Sequence, residues 1–255
     1  MGMTWSNVTV FQWQQLMNLF SQSDKDDIET VSIKVISIIT SKTETEVMNL
    51  PLNKTIKLAK NIEFLKDDVP VNKVDYIKVK GKRYRCNYNI KDMEAARYIE
   101  TKYFSGDFAG NIHKIAASMV IPQKFTIFGW KDEEYDARKH DEYADDLITA
   151  SITDLMGSVV FFLSCIQNLD KSFSGLFEKG NDGDEDDREA HRDDTQGFMR
   201  QYGWIYQCKL VAEHEKITLE QSFQLSTINF LNDLSYIKAK AELDREQSIK
   251  NGKKH

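Results

Sequence analysis

Lys78, Lys80, Lys82, Arg83 and Arg85 stand among Tyr76, Tyr84 and Tyr88, the densest cluster of cations and aromatic rings in the chain. Base stacking combined with phosphate contact uses such a mixture, and an acidic protein surface would suit it too. The simpler account is a hairpin with one buried face and one wet face carrying the cations, and it carries more weight. A second cluster, His140-Asp141-Glu142 with Asp145 and Asp146, puts Asp141 and Asp145 one helical turn apart, where two carboxylates could share an ion. A charged, exposed helix start explains it more simply. Asp182, Asp184 and Asp186 alternate as in a calcium loop, but Asp187 stands where that loop needs glycine and Asp193 where it needs glutamate. A solvated spacer is the expectation there. His113 has no second histidine at a metal-ligand spacing. Cys86, Cys165 and Cys208 are odd in number and far apart, as reduced cysteines of a cytosolic protein are. No nucleophile elbow, phosphate loop or dinucleotide fingerprint occurs. The residues therefore point to a non-enzymatic protein with no cofactor and no metal.

The elements that position these residues can be read from periodicity. Over 73–103 the chain leaves helical spacing once. Tyr76, Lys78 and Lys80 alternate with Ile77 and Val79, Lys80-Gly81 supplies a turn, and Arg83 and Arg85 alternate with Tyr84 and Cys86, which predicts a hairpin. No other convincing strand pair is expected; 125–130 reads as a short apolar segment of extended character. Thr9 with Gln12 predicts a capped helix to about Phe20. Acids at 24, 26 and 27 precede a second to about Thr40, although its β-branched residues also suit a strand. Thr43 with Glu46 opens a short helix ended by Pro51, and Leu52 begins another to Leu65. Helices are expected over 93–103 and over 111–120, the latter stopped by Pro122. A charged stretch over 132–146 ends in a helix. Another helix, capped by Ser151, runs to about Phe177. Beyond it, 178–197 has no large apolar residue and many acids, a self-repelling spacer by composition. Helices follow over 198–213 and 227–248, with a Thr218–Gln221 capping box between them. The fold class is mainly α with a small β-hairpin (α+β). The expected organisation is a helical domain over 1–178 with the hairpin at 74–90, a disordered acidic linker over 179–197, and a C-terminal helical module over 198–255.

With 255 residues the chain can bury a full core. A formal net charge of −6 argues against nucleic-acid binding by the whole surface, though not by a local basic face. The N-terminus lacks the features of a signal peptide. The most apolar run, 155–166, is shorter than the ~20 residues a spanning helix needs, so it reads as core. Gly2 with Ser6 fits the short myristoylation pattern, but no polybasic patch follows. No membrane contact is expected.

Two stretches are similar to known proteins. Leu50-Pro51-Leu52, the helix to Phe64-Leu65, the hairpin of 77–84 and the helix after it resemble small bacteriophage tail assembly chaperones. Tyr202-Gly203-Trp204-Ile205-Tyr206, followed by Phe223, Leu225 and the 229–238 segment, resembles the short helical tail segments of phage structural and tail-assembly proteins. The resemblance implies an N-terminal domain extended, through a flexible connection, by a helical segment that contacts the tape measure protein. The surface this suggests is Tyr202, Trp204 and Tyr206 with the apolar stripe of Leu231, Leu234 and Tyr236. Packing of that stripe on the module's own first helix is at least as good an account. The expected function is a phage assembly protein binding a helical partner, tape-measure-like or another virion component, in the host cytoplasm during assembly. Self-association stays open. The alternatives are a virion structural or cargo protein, at the head–tail junction or packaged, and a nucleic-acid-binding protein that uses the basic hairpin.

Overall fold

The computed structural model of the protein describes residues 3–22, 27–177 and 189–252. It is mainly helical with one small antiparallel sheet. The chain forms two compact units: Met1–Tyr88 with Glu100–Leu163, and Asn89–Ile99 with Ser164–His255.

The first unit opens with α1 (Val10–Gln22), α2 (Ile28–Thr40), α3 (Glu44–Met48) and α4 (Leu52–Asn61). The starts of α1, α2 and α3 are fixed by side chains that satisfy the orphan amides of the first turn, whereas Pro51 precedes α4 without a side-chain cap. The Thr9 hydroxyl accepts from the Gln12 amide at 3.2 Å while Gln12 accepts from the Thr9 amide at 3.0 Å. Asp27 accepts from Thr30, and Thr43 and Glu46 form a reciprocal pair. α2 is a helix despite its β-branched residues: Asp27 caps it, and Val35, Ile36 and Ile39 bury one face.

β1 (Tyr76–Val79) and β2 (Lys82–Cys86) form the expected hairpin, with φ of 51° at Lys80 and 75° at Gly81. Two positive φ values in a two-residue turn match the twist of the strands. After α5 (Ala95–Phe104) and α6 (Phe108–Met119), β3 (Val120–Thr126) and β4 (Gly129–Asp132) complete a sheet of order β1-β2-β3-β4. This corrects the expectation of a lone strand pair, and of a helix running to Val120 that Pro122 would stop. Pro122 lies within β3, opposite Tyr84. Its carbonyl points away from β2 and accepts from the Glu133 amide at 2.9 Å. A strand residue directs its N–H to the same side as its C=O, so the missing donor leaves the β2–β3 ladder intact.

Alternation sorts the sheet into two faces. Ile77, Val79, Tyr84, Cys86 and Val120 are buried. Tyr76, Lys78, Arg83, Arg85, Gln123, Phe125 and Trp130 lie on the other face. α7 (His140–Leu147) packs on α6, and α8 (Ile152–Ser172) turns Leu155, Val159 and Phe162 inward. Among the described residues α8 is the helix long and apolar enough to cross a membrane by length and composition.

The second unit consists of 89–99, the end of α8, α9 (Ser174–Phe177), α10 (Glu189–Glu215), α11 (Leu219–Gln224) and α12 (Thr227–Gly252). Backbone bonds join its distant parts: the Ala95 amide donates to Leu225, Thr227 to Met93, and Ile228 to Lys91. Cys208, Val211, Phe230, Leu231 and Leu234 form its core. The composition change of the acidic stretch therefore does not coincide with the division between units. Residues 178–188 of that stretch lie outside the described residues, as does Gly2. From Glu189 the backbone is helical, well before Phe198, where the helix was expected to begin.

Candidate functional site

The basic hairpin and the acids of α7, two separate clusters in the sequence, neutralise one another. Lys82 Nζ lies 2.7 Å from Asp146 Oδ2 and 3.1 Å from Glu142 Oε1. Lys80 Nζ donates to the Asp145 carbonyl at 2.8 Å and lies 3.4 Å from Asp146 Oδ1. The buried Tyr84 hydroxyl donates to Asp146 Oδ2 at 2.6 Å. Burial alone would push the Asp146 carboxyl up, but Lys82, Tyr84 and Lys80 together hold it below its ordinary value. Burial and the Asp146 bond push the Tyr84 phenol far above its own. Arg85 holds Asp132 at 2.7–3.1 Å and lowers its carboxyl. Of the five expected surface cations, Lys80, Lys82 and Arg85 are thus ion-paired. Lys78 is exposed. The Arg83 guanidinium lies over Tyr76, 3.8 Å from the ring centroid, and 5.4 Å from that of Trp130. Of the α7 acids, Asp141 and Asp145 are exposed and Asp146 turns to the hairpin, while His140 turns inward.

His140 belongs to a cluster that has the residue types of a hydrolase triad. Its Nε2 lies 3.1 Å from Ser118 Oγ, 3.0 Å from the Lys114 carbonyl and 3.8 Å from Glu100. A carbonyl only accepts, so Nε2 carries its proton and cannot take one from Ser118. Ser118 is fully buried, and the imidazole stacks on Phe104 at 5.3 Å. These groups satisfy buried polar atoms; they do not present a nucleophile. His113 is partly buried, and burial lowers its pKa. His214, Glu215 and Asp233 bring ligand atoms within 4.8 Å of one another. Both Glu215 and His214 are exposed, and exposed acidic groups are common without an ion. Asp182, Asp184 and Asp186 lie outside the described residues.

The C-terminal surface divides. Leu231 and Leu234 are buried in the second unit, where α10 and α12 pack together. Trp204 is partly buried, edge-on to Tyr98 at 5.9 Å. Tyr202, Tyr206 and Tyr236 are about half exposed. Leu231 and Leu234 therefore serve as core, while Tyr236 at the end of the stripe stays exposed.

A groove in the first unit was not anticipated. α4 is amphipathic yet buries no residue. Its Ile56 faces α1 and α2 across a groove of about 520 Å³ lined by Phe20, Val31, Val35, Ile62 and Leu65. Lys60, Lys66 and Glu63 stand at the rim, and Lys54 and Lys57 are exposed along the same helix. The sequence signal was present: the α4 stretch has an apolar side, and nothing in it shows which partner covers that side. Comparison with protein-family models, with curated proteins and with solved structures finds no match for the chain.

Proposed function

We propose that the protein is a non-enzymatic bacteriophage assembly protein that holds an amphipathic helix of a virion component, tape-measure-like or similar, in the groove between α2 and α4. The observation that carries this reading is α4 itself: Leu52 is 76 % and Ile56 50 % exposed on a helix with no buried residue. An isolated helix of this length is marginal in water, and tertiary burial of an apolar face normally sustains it. A second amphipathic helix laid in the groove would provide that burial. The lysines at 54, 57, 60 and 66 favour a helix flanked by acids.

The test is co-expression of the full chain with the long helix-rich reading frames of the same phage genome. Wild type should retain one of them; Ile56→Glu should lose it while its melting temperature stays unchanged, because the side chain is already half exposed. Equal retention by both chains, or none by wild type, overturns the reading. Mass spectrometry of purified virions separates an assembly factor, absent from finished particles, from a structural or cargo protein.

A further inference from the structure

The β3–β4 hairpin extends beyond the buried part of the sheet: no residue from Lys124 to Lys131 is buried. Its turn carries Ile127 and Phe128, 93 % and 82 % exposed. Turns ordinarily take glycine, asparagine or aspartate, and the first hairpin uses Lys80-Gly81. This turn is nonetheless well fixed. Thr126 Oγ1 donates to the Gly129 carbonyl at 2.8 Å and accepts from the Phe128 amide at 3.2 Å, and Gly129 takes a φ of 99°.

Behind the tip the side chains change in order. The next outward-facing pair is Phe125 and Trp130, edge-on at 5.3 Å. Behind it Lys124 is directly opposite Lys131. Like charges across an antiparallel pair are destabilising; Lys131 Nζ lies 5.7 Å from the Phe128 ring centroid, a contact that does not neutralise it, so an anionic counterpart suits the pair. At roughly 3.4 Å per residue the lysine backbone lies about 10 Å behind the tip. Apolar elements settle about 5–10 Å into the headgroup–acyl boundary. Tryptophan favours that boundary, and lysine stems reach from it to phosphates.

We propose that the β3–β4 hairpin is an arm that inserts into an anionic lipid surface, with Ile127 and Phe128 entering first, Trp130 at the boundary and Lys124 and Lys131 on the phosphates. A pocket on another protein would also accept the tip, but would not by itself account for the graded order from apolar tip to tryptophan to paired lysines. Of the acids next along the chain, Asp132 is paired with Arg85, and Glu133 and Glu134 stand farther from the tip than the two lysines. The inference departs from the expectation of no membrane contact and is independent of the α2–α4 groove.

The test uses the full chain and extruded vesicles of phosphatidylcholine, alone or mixed with phosphatidylglycerol. Wild type should sediment with the mixed vesicles, less so as salt rises, and brominated lipid should quench fluorescence that Trp130→Phe removes. Ile127→Ser with Phe128→Ser should weaken partitioning about tenfold or more. Lys124→Gln with Lys131→Gln should abolish the preference for anionic vesicles. All these positions are exposed, so urea unfolding should be unchanged and a loss of binding is not a loss of fold. No retention of wild type at low salt overturns the proposal. Equal retention of the tip variant also overturns it, and so does a tip variant that loses a protein partner while wild type ignores vesicles.

Discussion

Asp146 shows how far residue chemistry could be read without coordinates. Both its cluster and the hairpin cations were visible in the sequence, but their pairing was not, because about sixty residues separate them and no spacing rule reaches that far. Asp146→Ala leaves the buried Tyr84 hydroxyl without its acceptor and removes one partner each of Lys80 and Lys82, which keep the Asp145 carbonyl and Glu142. Urea unfolding should register a loss of about 2–4 kcal/mol. The pH dependence follows from the lowered carboxyl. Its stabilisation is complete above the ordinary value of 3.8 and is lost as pH falls through the lower folded value, so wild type should lose stability below pH 3.8 more steeply than Asp146→Ala. The cysteines make a second case. Burial pushes the Cys86 thiol up to about 11 and Cys208 up to about 12. At pH 8 both should resist a disulfide thiol reagent in the native chain and react once urea is added; fast native labelling of either would contradict the burial described.

At the scale of elements, the helix starts were the most legible features, because a capping box is written within four residues. Thr9–Gln12, Thr43–Glu46 and Thr218–Gln221 all form as spaced. The second hairpin was not legible, because Pro122 reads locally as a helix stop, and only the orientation of its carbonyl in the sheet shows why a strand tolerates it. The small residues of α8 were visible, but their structural role was not. Ser158 Oγ accepts from the Val74 amide at 3.0 Å, and a Cβ on Gly157 would overlap the Asn72 backbone. Gly157→Ala gains about 1 kcal/mol of helix propensity, yet it must displace backbone rather than a flexible side-chain end. Differential scanning calorimetry should therefore show a lower melting temperature.

For the whole molecule, composition identified the acidic stretch but not the division into units, because that division depends on backbone bonds between 91–95 and 225–228. Leu231 and Leu234 are buried in the core of that second unit. Leu231→Ala should cost about 2–5 kcal/mol of stability and leave partner retention at the groove unchanged, whereas Ile56→Glu should do the reverse. The interleaved path also has a consequence in time. A ribosome delivers 89–99 long before 225–228, so Met93 and Tyr98 wait with their native cover unmade while the rest of the first unit emerges. A chain ending at Leu163 should accordingly be cut by protease within 89–99. The α2–α4 groove, by contrast, is made from residues 20–66, among the earliest to be synthesised. Synthesis order would then set the sequence of events: the groove is on offer to an incoming helix while the second unit is still being translated.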